Sequence, residues 1–168
     1  MEDVLVSDQV RGRVIQYDAF ISHRGSELKK LAQKIHGDLS GLGVLSFVDS
    51  HEIRKGENLS VVIVEAIRAS SIWLVLLSKG FAESPWCLDE VRMMVDEREN
   101  GESKGVLIPV YYNVGPDDLR DVNRGPFKKA FRMHRKSEDY CLETIAKWEE
   151  GLKQVAEIWG PRFEDYSR

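Results

Sequence analysis

Apolar residues fall along this chain in two alternating patterns, short continuous runs and runs with a helical spacing. The continuous runs cover residues 14–22, 44–48, 72–77 and 106–112. Each is too short for a helix and has few polar breaks, as expected of strands that are buried on both faces. The pattern therefore predicts four strands. Pro109 in the last of them is typical of an edge strand or a bulge.

The stretches between these runs carry apolar residues at spacings of three and four, which is typical of amphipathic helices. They predict helices near residues 28–41, 59–67, 84–99, 126–131 and 145–159. Strand and helix thus alternate, which predicts a parallel sheet covered by helices on both faces. Ligands of such folds bind outside the carboxyl ends of the strands.

The helix predicted near residue 84 has an unusual polar face. Ser84 can accept a hydrogen bond from the first backbone N–H groups, and Pro85 suits the first helical position. Trp86 and Glu90 then share a face roughly opposite the aliphatic stripe that starts at Leu88. A packed aromatic beside a solvated carboxylate is the structural explanation of this face. A functional pair is the alternative.

The order of the elements favours the functional alternative for Glu90. Residues 23–25, 49–58 and 78–86 all follow predicted strands. They should therefore meet at the carboxyl end of the sheet, where ligands bind. Glu90 lies one turn into the helix that leaves this end, so it is the candidate catalytic group.

Composition narrows the class of protein. The 168 residues suit one domain, predicted over residues 14–160, with a lead-in at 1–13 and a tail at 161–168. The 24 basic and 28 acidic residues are mixed, which gives no electrostatic case for nucleic acid or an anionic membrane. Two distant cysteines and four scattered histidines predict a reducing compartment and no metal site. The sequence has no apolar run of membrane length.

Several chemistries common in this architecture do not fit the sequence. Gly41 and Gly43 end a helix and precede a strand, the reverse of a dinucleotide fingerprint, and no phosphate-binding GxxxxGK[ST] loop occurs. The third strand ends in Ser78, where a phosphoacceptor domain needs an aspartate. Cys87 has no histidine nearby in sequence to act as a base, so a packed thiol at a helix start, with a lowered pKa, is expected.

One carboxylate beside an aromatic suits a reaction with a cationic leaving group. The glycosidic bond of a nicotinamide nucleoside breaks without a general acid, because the departing ring is already positively charged. One carboxylate then suffices to stabilise the oxocarbenium-like transition state, whereas ordinary glycosidases need two.

Several motifs, in order, resemble those of the TIR (Toll/interleukin-1 receptor/resistance protein) family, and specifically its plant branch. The matching segments are YDAFISHRG at 17–25, KGE at 55–57, AIRAS at 66–70, SPWCLDE at 84–90, VLIPVYYNVGP at 106–116 and FKKAFRMH at 127–134. The resemblance implies a flavodoxin-like three-layer α/β fold with a five-stranded parallel sheet, so a short fifth strand is expected after Phe131.

The resemblance also implies an activity, cleavage of NAD⁺ to nicotinamide and ADP-ribose or a cyclic variant, with Glu90 essential. NAD⁺ is then the substrate, and no cofactor is expected. The family positions that line the nucleotide pocket correspond to Arg24, Gly25, Gly56 and Trp86, with His23 and Glu27 toward the adenine end. Cys87 matches a position associated with a second activity, the synthesis of 2′,3′-cyclic nucleotides from nucleic acid.

Family membership further implies partners and a location. We expect self-association through TIR–TIR contacts, contacts with other TIR proteins, products that act on lipase-like immune regulators, and action in the cytoplasm or nucleus. A stand-alone TIR protein and an excised domain are both consistent with the chain. Two alternatives stay open: a non-catalytic TIR–TIR adaptor, and a surface ion pair as the role of Arg24.

Overall fold

A computed structural model describes residues 16–49, 61–101 and 105–164. The strands are β1 (Ala19–Ser22), β2 (Ser46–Asp49), β3 (Ile72–Leu77), β4 (Val106–Tyr112) and β5 (Arg162–Phe163). The helices are α1 (Gly25–Gly41), α2 (Val61–Ala69), α3 (Pro85–Glu99), α4 (Pro116–Arg120), α5 (Lys128–Lys136) and α6 (Leu142–Ala156). Short 3₁₀ turns at Phe81–Glu83 and Gly125–Phe127 precede α3 and α5.

The five strands form one parallel sheet in the order β2-β1-β3-β4-β5. This is the flavodoxin-like order, and it confirms the predicted fold class. β2 lies on one side of β1 in the sheet, and β3, β4 and β5 follow on the other side. The crevice between the carboxyl ends of β1 and β3 is therefore the place where such a fold binds ligands.

The central strands are buried on both faces because each face is covered by helices. On one face, Trp73, Val75 and Leu77 of β3 join the larger core cluster with residues of α2, α3, α5 and α6. On the other face, Leu76 packs with Ile21 of β1 and with α1. This two-sided burial explains why β3 and β4 are continuous apolar runs in the sequence, and both strands have the predicted bounds.

Several element bounds differ from the sequence predictions. Within the described residues, β1 begins at Ala19, and β2 runs from Ser46 to Asp49 rather than over 44–48. The closing helix stops at Ala156, so Trp159 lies outside it and is 85 % exposed. The fifth strand pairs with β4 inside the segment predicted to be a tail.

β4 is not an edge strand, because β3 and β5 lie on its two sides, and its register with β3 has no bulge, but Pro109 itself lies where β5 does not pair with β4. Tyr111 and Asn113 donate their backbone N–H groups to the carbonyl oxygens of Pro161 and Phe163. The backbone N–H groups of odd-numbered residues in this part of the chain therefore point toward β5. Pro109 precedes the two paired positions of β5. A residue without an N–H group is tolerated there because the β5 pairing that would use that group starts later.

Gly160 lies just before β5 and tests how closely this part of the chain approaches β4. A Cβ atom at Gly160 would overlap the carbonyl oxygen of Pro109 and lie 2.8 Å from its carbonyl carbon. We expect Gly160→Ala to lower the free energy of unfolding by about 1–3 kcal/mol, as overpacking does. Urea unfolding followed by circular dichroism measures the change.

Gly37 provides the matched control, because it lies inside α1 and a Cβ atom added to it would have no contact within 4 Å. Gly37→Ala should raise the free energy of unfolding by about 0.5–1 kcal/mol, since alanine loses less backbone entropy in a helix. Equal stabilities for the two variants would contradict the assigned position of β5.

Candidate active site

The residues of the candidate site come from the carboxyl ends of β1 and β2 and from the first turns of α3. Ser22 and Asp49 are the last residues of their strands and are paired in register. Glu90 lies in the helix that follows β3, on the other side of β1. The site therefore lies at the carboxyl ends of the strands, where the sequence places Glu90, and the strand order reverses there.

The start of α3 is built as the sequence predicts. The Ser84 side chain accepts a hydrogen bond from the backbone N–H of Cys87 at 3.3 Å, and Pro85 takes the first helical position. Leu88 donates its N–H to the Ser84 carbonyl at 3.1 Å. This cap fixes where the helix begins and therefore where Glu90 lies relative to the strand ends.

α3 is buried on nearly all sides, whereas its sequence pattern suggests a helix that is buried on one side only. Its buried residues include polar and apolar types, namely Pro85, Trp86, Cys87, Leu88, Glu90, Val91, Met94, Val95 and Glu97. Trp86 is 6 % exposed and belongs to the larger core cluster. The interpretation that Trp86 stands apart from the core is therefore wrong. Its role in lining a nucleotide pocket stays a prediction.

Glu90 is completely buried, so it is not the solvated carboxylate of the structural explanation. Its pKa is raised well above the ordinary value, first by burial and then by the neighbouring carboxyl group of Asp49 and its charge. The neighbouring Ser22 hydroxyl lowers the pKa, and the charge of Asp89 raises it further. Burial and neighbouring negative charge thus disfavour the ionised form of Glu90.

Cys87 lies beside this acid group and is equally buried. Its thiol donates to the backbone carbonyl of His23, with 3.5 Å between sulfur and oxygen. Burial raises the pKa of the thiol, and the charge of Glu90 raises it further, against a lowering by Ser84. The expected lowering of this pKa is therefore wrong, because burial outweighs the helix start.

The remaining predicted residues cluster at the start of α1. His23 is buried, and Arg24 forms an ion pair with Glu83 at 3.6 Å, which is the alternative role foreseen for Arg24. Gly25 has φ +84° at the first position of α1, a conformation that favours glycine. Glu27 is exposed in the first turn. Gly56 lies outside the described residues.

Sequence reasoning misses Asp49 and Ser22 as neighbours of Glu90. In the sequence, Asp49 resembles the first residue of a charged loop, and Ser22 resembles the end of an apolar run. The usable signal is position, because both residues end strands that precede ligand-side loops.

Two further observations concern what this part of the chain could bind. Within residues 16–49, 61–101 and 105–164, no group of three histidine, cysteine or acidic side chains could hold a metal ion. Over the same residues, no helix has both the length and the apolar character needed to cross a membrane.

Comparison with known proteins gives a consistent set of relatives. The family model described as TIR domain matches residues 16–167. The Arabidopsis thaliana disease resistance-like protein DSC2 is 34 % identical over 149 residues, which cover 88 % of this chain and 12 % of DSC2. An Arabidopsis TIR domain-containing protein is 31 % identical over 84 % of this chain and 57 % of its own length.

A solved structure agrees with these sequence matches. The TIR domains of the activated Roq1 resistosome superpose with a TM-score of 0.75 at 28 % identity, over 87 % of both chains. The chain thus spans only about one eighth of the curated resistance protein DSC2, but nearly all of the solved TIR domain chain.

Trp86 and Trp159, two of the four tryptophans, test the core assignment of α3. We expect Trp86→Ala to lower the free energy of unfolding by about 3–5 kcal/mol, as the loss of a buried large side chain does. Trp159→Ala should change it by less than about 0.5 kcal/mol, because this side chain is 85 % exposed. Urea unfolding followed by circular dichroism decides, and a stable Trp86→Ala variant would refute the core position.

The two thiols should differ in reactivity. Cys141 is exposed, and hydrogen bonds with Thr144, one of them at 3.2 Å between the side chains, lower its pKa. We expect a disulfide reagent at about pH 7.5 to modify one thiol in the native protein and two in urea. Cys141→Ser should abolish the native reaction. Rapid native modification of Cys87 would contradict its burial.

Proposed function

This chain belongs to the TIR domain family, and on that premise we propose that it is an NAD⁺ glycohydrolase whose products signal in plant innate immunity. The observation that carries the proposal is a buried glutamate, Glu90, at the reversal of strand order. Carboxylates with shifted pKa values are common in active sites, because a catalytic acid or anion needs a tuned environment.

The proposed reaction breaks the bond between C1′ of the ribose and the nicotinamide nitrogen. The electron pair of the bond stays on the ring, which leaves as neutral nicotinamide and needs no proton. Positive charge develops on the ribose, and the Glu90 carboxylate stabilises it. Water then adds to C1′ and releases a proton to give ADP-ribose, while attack by an adenine nitrogen instead gives a cyclic product.

The other proposed groups bind rather than react. Arg24 has the charge to hold a phosphate of the substrate, and to do so it would exchange its Glu83 partner for the phosphate. His23, Gly25, Glu27 and Gly56 are proposed along the nucleotide, and Trp86 against an aromatic ring. Because Trp86 and Glu90 are buried, productive binding requires the site to open.

Self-association supplies a reason for such an opening. The solved relative is an activated resistosome, in which TIR domains belong to a larger assembly. We extend this to the present chain and propose that TIR–TIR contacts, with copies of itself or with other TIR proteins, open the crevice in the cytoplasm. The products would then reach lipase-like immune regulators.

A non-catalytic adaptor is the second candidate function, and one observation favours it. Glu90 and Cys87 are fully buried and Trp86 nearly so, as expected of residues that only stabilise a domain. The same burial, with the raised pKa of the thiol, argues against Cys87 as the nucleophile of a cyclic-nucleotide synthetase.

Nicotinamide release from NAD⁺ separates enzyme from adaptor. At high protein concentration, Glu90→Gln should lower the rate by at least about 100-fold, because a neutral amide does not stabilise the developing charge. Glu99→Gln removes an exposed carboxylate of the same helix and should leave the rate unchanged. Chromatography of the products measures both rates, and equal release by wild type and Glu90→Gln would refute the catalytic role.

The free energy of unfolding of Glu90→Gln shows whether a loss of activity results from unfolding of the variant. A carboxyl group with a raised pKa in the folded state contributes its stability below its unfolded pKa and loses it as the pH rises through the folded pKa. At about pH 7 the glutamine variant should therefore be at least as stable as the wild type. Absence of release by all variants, with self-association intact in size-exclusion chromatography, would favour the adaptor.

A further inference from the structure

The start of α3 is tied to α5 and α6 at two points. Before the helix, Nε2 of His134 in α5 lies 2.7 Å from the backbone carbonyl oxygen of Ala82, in the turn that precedes α3. Within the helix, Nε1 of Trp148 in α6 donates to the Asp89 carboxylate at 2.7 Å, one residue before Glu90. The two bonds therefore lie on either side of the first turn of α3, close to the candidate catalytic group.

Both bonds have a defined donor and an acceptor that is at least partly buried. A carbonyl oxygen can only accept, so the proton of the first bond is on Nε2 of His134. Ala82 is completely buried, and Asp89 is half-buried. Removing either donor would leave such an acceptor without that partner, which costs more than the net contribution of an ordinary hydrogen bond. The two bonds are therefore costly to break in the folded protein.

The two donors belong to one aromatic cluster, which fixes their orientation. The His134 ring packs edge-on against three other rings, with centroid distances of 6.0 Å to Phe131, 5.9 Å to Tyr140 and 5.3 Å to Trp148. The rings of Tyr140 and Trp148 are themselves 5.0 Å apart. Side chains whose rotamers are locked by packing hold their hydrogen bonds in one geometry. The cluster thus gives both bonds to α3 a rigid base.

Two contacts that join the start of α3 to the segment after β1, on the opposite wall of the crevice, are longer. The Cys87 thiol, a weak donor, reaches the His23 carbonyl at 3.5 Å. Arg24 reaches Glu83 at 3.6 Å, and the Glu83 side chain is 61 % exposed, so solvent screens this ion pair. The short bonds hold α3 to α5 and α6, and the long ones cross the crevice.

We propose that His134 and Trp148 are positioning residues for Glu90: their two hydrogen bonds make α3 the fixed wall of the crevice. This inference rests on the proposed function. Opening of the site for NAD⁺ then falls to the wall formed by the segment after β1, while the carboxylate keeps its place. Position matters because a displacement of about 1 Å in a catalytic site can lower the rate about 100-fold.

A first measurement on the full chain needs no turnover. Cys87 lies in the first turn of α3 and is completely buried, so its thiol reports movement of this helix start. In a Cys141→Ser background it is the one thiol of the chain. His134→Phe and Trp148→Phe each keep an aromatic ring but remove the donor. At about pH 7.5, a disulfide reagent should modify Cys87 at least about tenfold faster in each variant than in the background protein.

Two control variants separate the hydrogen bonds from packing. His134→Gln keeps a donor nitrogen at the same number of bonds from Cβ, and Phe131→Leu removes a ring of the cluster but neither donor. Both should leave the modification rate of Cys87 within about threefold of the background rate. The dependence on urea is a further check, because modification through global unfolding rises steeply with urea, whereas modification through a local opening hardly changes.

The second measurement is nicotinamide release from NAD⁺, with kcat and KM given per folded molecule from the urea unfolding of each variant. His134→Phe and Trp148→Phe should lower kcat at least about tenfold and leave KM within about threefold, because most groups proposed to bind the nucleotide lie outside α3. His134→Gln should keep kcat within about threefold of wild type, since it retains the donor.

The outcomes separate the two proposals. Faster modification of Cys87 together with a lowered kcat supports the positioning role, and each phenylalanine variant tests its own residue if the other does not fold. Modification that is no faster, or equally fast in Phe131→Leu, overturns this role whatever the activity. Faster modification with an unchanged kcat overturns the link to Glu90. Faster modification with no nicotinamide release by any protein, wild type included, overturns the proposed function but leaves α3 anchored by the two bonds.

Discussion

The burial of α3 is the constraint on which the rest of the structure depends. This helix packs in the larger core cluster with the sheet and α6, and its acids must therefore be accommodated inside the protein. Trp148 donates to Asp89 at 2.7 Å, and Arg68 pairs with Glu97 at 2.9 Å. These contacts satisfy two acids of the helix, so that it can be covered on nearly all sides.

Glu90 is accommodated in a different way, by uncharged and acidic neighbours. Ser22 and Asp49 meet it at the ends of two strands, and its raised pKa reflects that setting. The same features that allow a carboxyl group to be buried also make its charge conditional. Fold stability and the proposed chemistry therefore depend on one arrangement, because the burial that packs α3 also disfavours a charge on Glu90.

The sequence predicts those parts of the structure that depend on local pattern. β3, β4, the Ser84 cap and the place of Glu90 follow from apolar runs, a capping serine and the rule for ligand sites in parallel sheets. β5 is expected only from the family resemblance, because two residues are too short to carry a pattern.

The errors arise where burial by distant segments overrides local pattern. The helical face of Trp86 suggests a helix covered on one side only, and the pKa expected for Cys87 takes account of the helix start but not of burial. The partnership of Asp49 with Glu90 depends on strand order, which brings together residues 41 positions apart in sequence. Position along the chain alone does not disclose such a pair.

The shortness of β5 has a consequence for how copies of this domain meet. An exposed sheet edge offers unpaired backbone groups that another chain can extend, and proteins limit this with short and charged edge strands. β5 pairs over two residues only, and Arg162 within it forms an ion pair with Glu164 at 3.0 Å. Continuation of the sheet from one molecule into the next is thereby disfavoured on this side. On this side of the domain, helices and loops are left as the surfaces for contact, and such contacts can be reversed without pulling strands apart.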